Sequence, residues 1–424
     1  MKSFFNFCFL ITALLLFTLN VFGQEKIPVP IKFIPVKPKQ ADSILYHLDT
    51  TTTMKKGVRQ RDLADWLEDL FNVPPSKQPN TVTSKPSFSI VPAFGYTLVS
   101  RLAFVLSGNC AFRTGPDSRI STIAASTSIT QNKQLTLPIL TNIWSKNNDW
   151  NFVGDYRIYK YPQSTFGLGS NSNIANEDPL DYAYLQLKET ALRHVGGNFY
   201  LGLGYVIDNH WNVSEKGDLN GTVSDYSRYG ENSHSIASGF TFNGLLDSRD
   251  NGINPSKGGY VWFEYRDNYS FLGSTSSWRS LIVDVRKYFK FPKGSDNVIA
   301  LWSYNWLTLN GRPAYLDLPS TQWDASSSTG RGYIQGRFRG ADMVYFEGEY
   351  RYRITADGLL GAVVFINGQS FSAAPGTRLQ AIQPAFGPGL RIKLNTISKT
   401  NIAIDYGFGR QGSSGLFIDV GEYF

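Results

Sequence analysis

Ile402-Ala403-Ile404-Asp405-Tyr406-Gly407-Phe408-Gly409 places a large apolar side chain at every second position and a small or acidic residue between. Successive residues of a strand point to opposite faces, so this stretch offers one face to an apolar medium and the other to a polar or crowded interior. The same period runs through Val344, Phe346, Gly348, Tyr350 and Tyr352, which alternate with Tyr345, Glu347, Glu349, Arg351 and Arg353. Here the inner face is charged. Apolar outside and polar inside is the wall pattern of a transmembrane β-barrel.

Working outward, short alternating segments separated by turn residues fill the chain from about Ser87, with no sustained helical period. Strands are expected near 87–95, 99–108, 120–129, 134–144, 149–160, 182–193, 197–208, 234–246, 258–269, 277–290, 296–310, 342–354, 359–368, 385–395, 400–409 and 415–424. They number about sixteen, an even count as bacterial outer-membrane barrels have. The three longest connections, 161–181, 209–233 and 311–341, all follow odd-numbered strands and so emerge on one side. Long loops face outward in such barrels, which puts both barrel ends in the periplasm. A water-soluble sandwich or propeller is also made of many short strands. It needs neither loops sorted by parity nor an aromatic strand running to Phe424.

Composition agrees with alternation. Aromatics make up 14% of the residues, yet mean hydropathy is only −0.22, because one face of each strand is polar. Residues 1–23 read as a signal peptide: Lys2, an apolar run from Phe4 to Phe17, then small Gly23 before Gln24. Cys8 lies within that run, so it offers no acceptor for a lipid-modified N-terminus. Beyond it no stretch approaches the roughly 18 uninterrupted apolar residues of a spanning helix. A membrane-crossing form must then be a closed barrel, since only helices and closed barrels satisfy every backbone polar group in lipid. Cys110, the one cysteine after processing, has no disulfide partner in the chain. The net charge of +7 is scattered rather than blocked, which fits a basic surface meeting acidic lipid and not a nucleic-acid site.

Residues 24–86 differ from the rest, with a Pro/Lys-rich start at Ile27 to Lys39 and a second loose stretch at Pro74 to Pro86. Between them Leu63, Trp66, Leu67 and Leu70 recur at helical spacing, giving a tether with one amphipathic helix. That helix either rests its apolar face on the barrel mouth or acts as a plug or docking element.

Several segments resemble the BamA/TamA-like bacterial surface-antigen superfamily of outer-membrane insertion and translocation proteins, over nearly all of 87–424. Gly330-Arg331-Gly332-Tyr333, followed by Gly336-Arg337-Phe338-Arg339-Gly340, is similar to that family's Arg-Gly-Phe/Tyr loop. The resemblance implies that this loop folds into the lumen and that Arg331 pairs with acids on the inner wall, at Glu349 and at the position of Asn367. The family has Asp where Asn367 stands, so one countercharge is missing from the motif; Glu347 shares the inner face. The alternative is a Gly-rich outer loop whose Arg is solvated.

Leu246-Asp247-Ser248-Arg249-Asp250-Asn251, running on to Pro255 and Gly258, is similar to the family's D-x-R-D-N turn. It reads as a hydrogen-bonded periplasmic turn, with too few oxygens for a calcium loop. Val91 to Tyr96, Gly387 to Arg391 and Asp405 to Gly407 are similar to family strand segments. Phe417 to Phe424 resembles the terminal assembly signal of outer-membrane barrels, with Ile418, Val420, Gly421 and Phe424 as its carriers and Phe424 at the membrane interface. Residues 24–86 show one helix and no strand pairs, so the resemblance is to a member lacking POTRA domains.

The function implied is a non-enzymatic insertion or translocation barrel with a weak seam between its first and last strands. Its partners are outer-membrane lipid and client outer-membrane proteins or a periplasmic or lipoprotein accessory, with no nucleic acid. The alternative is a passive or plugged pore, or a structural scaffold. No cofactor or metal is expected. An enzyme needs a nucleophile, base and orienting acid in mutual reach; the four histidines, His47, His194, His210 and His234, form no metal motif, and Gly412-Ser413-Ser414-Gly415 lacks nucleophile-elbow spacing. His210 and His234 are expected in a solvated loop.

Overall fold

The computed structural model describes residues 58–72, 84–97, 101–216, 223–230 and 232–424. The signal-peptide and Pro/Lys-rich readings lie outside them.

Seventeen strands form one sheet among the described residues. They are β1 (Ser87–Thr97), β2 (Arg101–Phe112), β3 (Ser121–Thr130), β4 (Leu135–Trp144), β5 (Trp150–Lys160), β6 (Gln163–Thr165), β7 (Asp178–Gly196), β8 (Phe199–Glu215) and β9 (His234–Asp247). There follow β10 (Gly258–Asn268), β11 (Trp278–Lys290), β12 (Val298–Gly311), β13 (Asp342–Arg353), β14 (Leu360–Phe371), β15 (Gln383–Asn395), β16 (Thr400–Phe408) and β17 (Ser414–Val420). Each pairs antiparallel with its successor, with β5 pairing directly to β7 and the three-residue β6 extending that edge. The last strand, β17, returns beside β1. The protein is an all-β antiparallel barrel.

Sixteen of these strands are those expected from alternation, and β6 is the addition. Two connections are shorter than expected, because β8 runs on to Glu215 and β7 starts at Asp178. His210 therefore lies within a strand. It is buried, stacked on Tyr184 at 4.6 Å, with Nδ1 3.3 Å from Asp317. This corrects the expectation of a solvated loop histidine. His234, at the start of β9, is exposed and bonds Asn209 at 2.8 Å.

The two faces of the wall are sorted as the alternation requires. On β13, Tyr345, Glu347, Glu349 and Arg351 are buried while Phe346 is 58% exposed; on β14, Val364 and Ile366 are exposed while Phe365 and Asn367 are buried. Leu203, Phe240, Phe242, Leu301 and Phe386 continue the exposed apolar belt on other strands. A contiguous apolar exterior of this extent is costly in water and stable against hydrocarbon. No helix among the described residues is long and apolar enough to cross a membrane.

The long connections gather at one end. The Gly169 amide donates to Arg339 O at 2.7 Å, the Leu168 amide to Asp225 at 2.8 Å and the Asn171 amide to Gln380 at 2.7 Å. Short turns gather at the other, where Arg119 donates to Asn198 at 3.0 Å and Asn254 to Lys399 O at 3.3 Å.

The helix expected around Leu63 is present as α1 (Leu63–Phe71), started by a reciprocal capping box between Asp62 and Asp65. It is fastened at the short-turn end: Asp62 accepts from the Thr396 amide at 3.0 Å, and the Arg61 amide donates to Asp357 O at 3.1 Å. Its apolar face is not covered by the barrel, for Trp66, Leu67, Leu70 and Phe71 are all exposed. The period reported amphipathicity correctly, but the N-cap, rather than a buried face, does the fastening.

Candidate functional site

The connection 312–341 folds against the inner faces of β13 to β16, and Arg331 is completely buried. Its guanidinium donates to Glu347 and Asp405 and, at 2.9 Å, to Glu349. The rings of Phe365 and Tyr423 flank it at 4.0 and 4.3 Å. A planar guanidinium with five donors can serve three carboxylates at once, which an ammonium of one point charge does poorly.

Backbone fit makes this approach feasible. Gly332 has φ +103°, a conformation that favours glycine, and a Cβ on Gly407 of β16 would sit 2.5 Å from the Gly332 nitrogen. Loop backbone and wall backbone touch where neither residue has a side chain.

Asn367 does not meet the guanidinium. Its Nδ2 donates to the main-chain oxygen of Arg331 at 2.9 Å, so it holds the loop backbone. The countercharge missing from the motif comes from Asp405, in the strand segment Asp405 to Gly407. Asp405 is shared with Arg391, whose Nε donates to Glu422 at 2.7 Å and whose Nη2 lies 3.4 Å from Glu349. Arg351 lies 3.0 Å from Glu349. Three arginines and four carboxylates thus interlock, and Tyr345 donates to Glu347. The mutual pairing offsets much of the desolvation cost of burying these charges.

Tyr333 packs on Phe338 at 5.2 Å and donates to Pro384 O at 2.6 Å. The neighbouring arginines have neutral partners. Arg337 donates to Ser172 O and Gln411 at 2.8 Å, and burial pushes it down to about 10. Arg339 reaches the carbonyls of Tyr315, Leu316 and Leu318 at 3.1 to 3.3 Å, and burial lowers it also.

The chain's last residues differ from expectation. β17 stops at Val420, Gly421 turns at φ +142°, and Phe424 is buried against Trp302, with ring centroids 5.1 Å apart. Arg351 Nη2 donates to Phe424 O at 2.8 Å. Phe424 is therefore a lumen residue and not an interfacial end to the strand. Ile418 and Val420 lie on β17, half-buried.

The turn at Asp247 is a closed hydrogen-bonded unit. Arg249 donates twice to Asp247, at 3.0 and 2.9 Å, and Asn251 accepts from the amides of Ile253 and Asn254 at 2.8 and 2.7 Å. Asp250 accepts from the Ser256 amide at 2.8 Å, its hydroxyl at 2.7 Å and the Lys257 amide at 3.1 Å. Partial burial works against the Asp250 carboxylate, but these bonds and nearby Lys399 hold it below its ordinary value. Among the described residues no group of three or more His, Cys, Asp or Glu is placed to hold a metal.

No family model and no curated protein matches the chain. Among solved structures it is similar to BamA from Haemophilus ducreyi lacking POTRA domains 1–3, at 14% identity and TM-score 0.49, over 80% of this chain and 69% of that one. It is also similar to CdiB from Acinetobacter baumannii, at 12% and 0.48 over 80% and 60%, and to CdiB from Escherichia coli, at 10% and 0.48 over 82% and 68%.

Proposed function

We propose that this chain is an outer-membrane β-barrel related to the protein insertion and translocation barrels of the surface-antigen superfamily, without chemistry of its own. The observation that carries the reading is the clasp of Arg331 by Glu347, Glu349 and Asp405 inside a wall whose outer face is apolar. In this reading the short-turn end and both barrel termini face the periplasm, and the lipid meets Phe346, Ile366 and their neighbours. The clasp holds one flank of the barrel rigid, while the β1 and β17 edges provide the seam at which an incoming strand would pair.

Locking that seam tests the activity. Cys110, which stands opposite Phe88 of β1 in the register, is first replaced by Ser so that it cannot enter a cross-link. Cysteine pairs are then placed along β1 and β17, and assembly of a client barrel in proteoliposomes is followed with and without oxidation. Loss on oxidation and recovery on reduction are expected; undiminished assembly with the seam closed would remove the mechanism.

A further inference from the structure

The barrel wall is uneven at its long-loop end. β4 begins at Leu135, opposite Lys160 at the end of β5, whereas β7 extends beyond Ala183, the other partner of Lys160, to Asp178 and carries β6 along its edge. The wall therefore steps down from β6 to the short β3–β4 turn. In that turn Gln134 Nε2 donates to Pro162 O at 2.8 Å, which closes the foot of the step.

A cavity of about 510 Å³ lies in the step, lined by the exposed Lys133, Lys160 and Lys216. Other lysines of the barrel find acids, Lys188 with Glu264 at 2.5 Å and Lys290 with Asp296 at 2.9 Å, but among the described residues these three have no salt-bridge partner. Two carboxylates share the cavity: Asp181, and Glu177, which accepts from the Ser164 hydroxyl at 2.6 Å. Three ammoniums against two carboxylates leave one positive charge. Gln163 gives an independent signal, lining the cavity where it meets the loop 312–341. It is only 5% exposed; its Oε1 accepts from Tyr182 at 3.0 Å, while its Nε2 has no acceptor. A buried donor left without an acceptor is costly, and an oxygen entering the cavity removes that cost.

Next to the lysines the outer face turns apolar. Ile158 shares the outward face of β5 with Lys160, and Leu135 and Leu137 stand opposite them on β4, all three exposed. We propose that the step binds the phosphate of a membrane-lipid headgroup, with the Lys133, Lys160 and Lys216 ammoniums and the Gln163 amide as donors and the acyl chains on Ile158, Leu135 and Leu137. A phosphate brings both the negative charge and the several acceptor oxygens that such donors need. Lysines that only reach for water would account for their exposure but not for the free buried amide beside them. The proposal rests on the membrane-barrel reading and is independent of the seam.

The test is native mass spectrometry of the detergent-solubilised barrel titrated with diphosphorylated lipid A, with the same lipid dephosphorylated, and with sodium phosphate alone. The parent is expected to prefer the phosphorylated lipid by about tenfold, the sum of a few exposed charge contacts. Lys133→Gln/Lys160→Gln/Lys216→Gln should lose most of that preference and Gln163→Leu part of it, whereas Asp181→Asn should increase it. Sodium phosphate should neither bind at lipid concentrations nor displace the lipid; if it did both, the site would serve free phosphate and the headgroup assignment would fall. Equal binding of the two lipids by the parent would overturn the site, as would an undiminished preference in the triple variant with heat-modifiable migration intact. Loss of heat-modifiable migration in the parent itself would instead overturn the membrane-barrel reading.

Discussion

Arg331 donates to Asp405 across 74 residues of sequence, joining the long loop to β16, three strands beyond the one that follows it. This contact turns a loop–strand pair into a clasp spanning several staves of the barrel. It also makes the two residues energetically inseparable from Glu347 and Glu349, which share the same guanidinium.

Arg331→Ala leaves three carboxylates buried together without their common cation. Removing one partner of a buried pair typically costs about 3–5 kcal/mol. The urea midpoint of the detergent-solubilised barrel should fall accordingly, and Arg331→Ala/Asp405→Asn should be less destabilised than the sum of its parts. Strict additivity would mean that the contact is not made.

Asn367→Asp restores the residue type the family motif carries, yet it should harm this protein. A carboxylate cannot donate to Arg331 O, and it adds a fifth negative group beside Glu347, Glu349, Asp405 and Glu422. Leaving a buried acceptor unsatisfied costs about 1–3 kcal/mol. Equilibrium unfolding that showed a gain in stability would assign Asn367 a side-chain partnership with the guanidinium instead.

Phe424→Ala should expose Trp302 and remove a buried aromatic, a change that costs about 3–5 kcal/mol in well-packed cores. Tryptophan emission should shift to the red in the folded variant. An unchanged spectrum and midpoint would place the ring outside the lumen.

Asp250 gives a pH signature at the short-turn end. Its folded carboxyl is held below the ordinary value of 3.8, so its contribution is complete above that value and is lost as pH falls through the folded one. Asp250→Ala should therefore be less stable than the parent near neutrality, with the difference closing below about pH 4. A gap independent of pH would point to a purely steric turn.

Much of this architecture can be read from residue order, because lipid outside and water or packed polar groups inside impose opposite demands on neighbouring side chains. Tyr345, Glu347 and Glu349 against Phe346 show it plainly. Arg331 with Glu349 follows from a motif, since loop and strand are close in sequence. Asp405 does not, because its meeting with Arg331 depends on how many strands intervene and on their register. The tail departs from the strand period for a local reason: Ile418 and Val420 keep it, but Gly421 at φ +142° ends the strand and turns Phe424 into the lumen. In α1, spacing identified the helix, but the apolar face resting on the barrel mouth, one of its two readings, does not form, since Trp66 and Leu70 are exposed.

The most direct measurement is nitroxide accessibility in lipid vesicles, with single labels at Phe346, Val364, Ile366 and Phe386 and a reference label at Ser326 in the lumen. The first four should be relaxed by oxygen and shielded from a water-soluble nickel complex, and Ser326 the reverse. Equal exposure of all five to the nickel complex would contradict a lipid-embedded barrel with an inward loop.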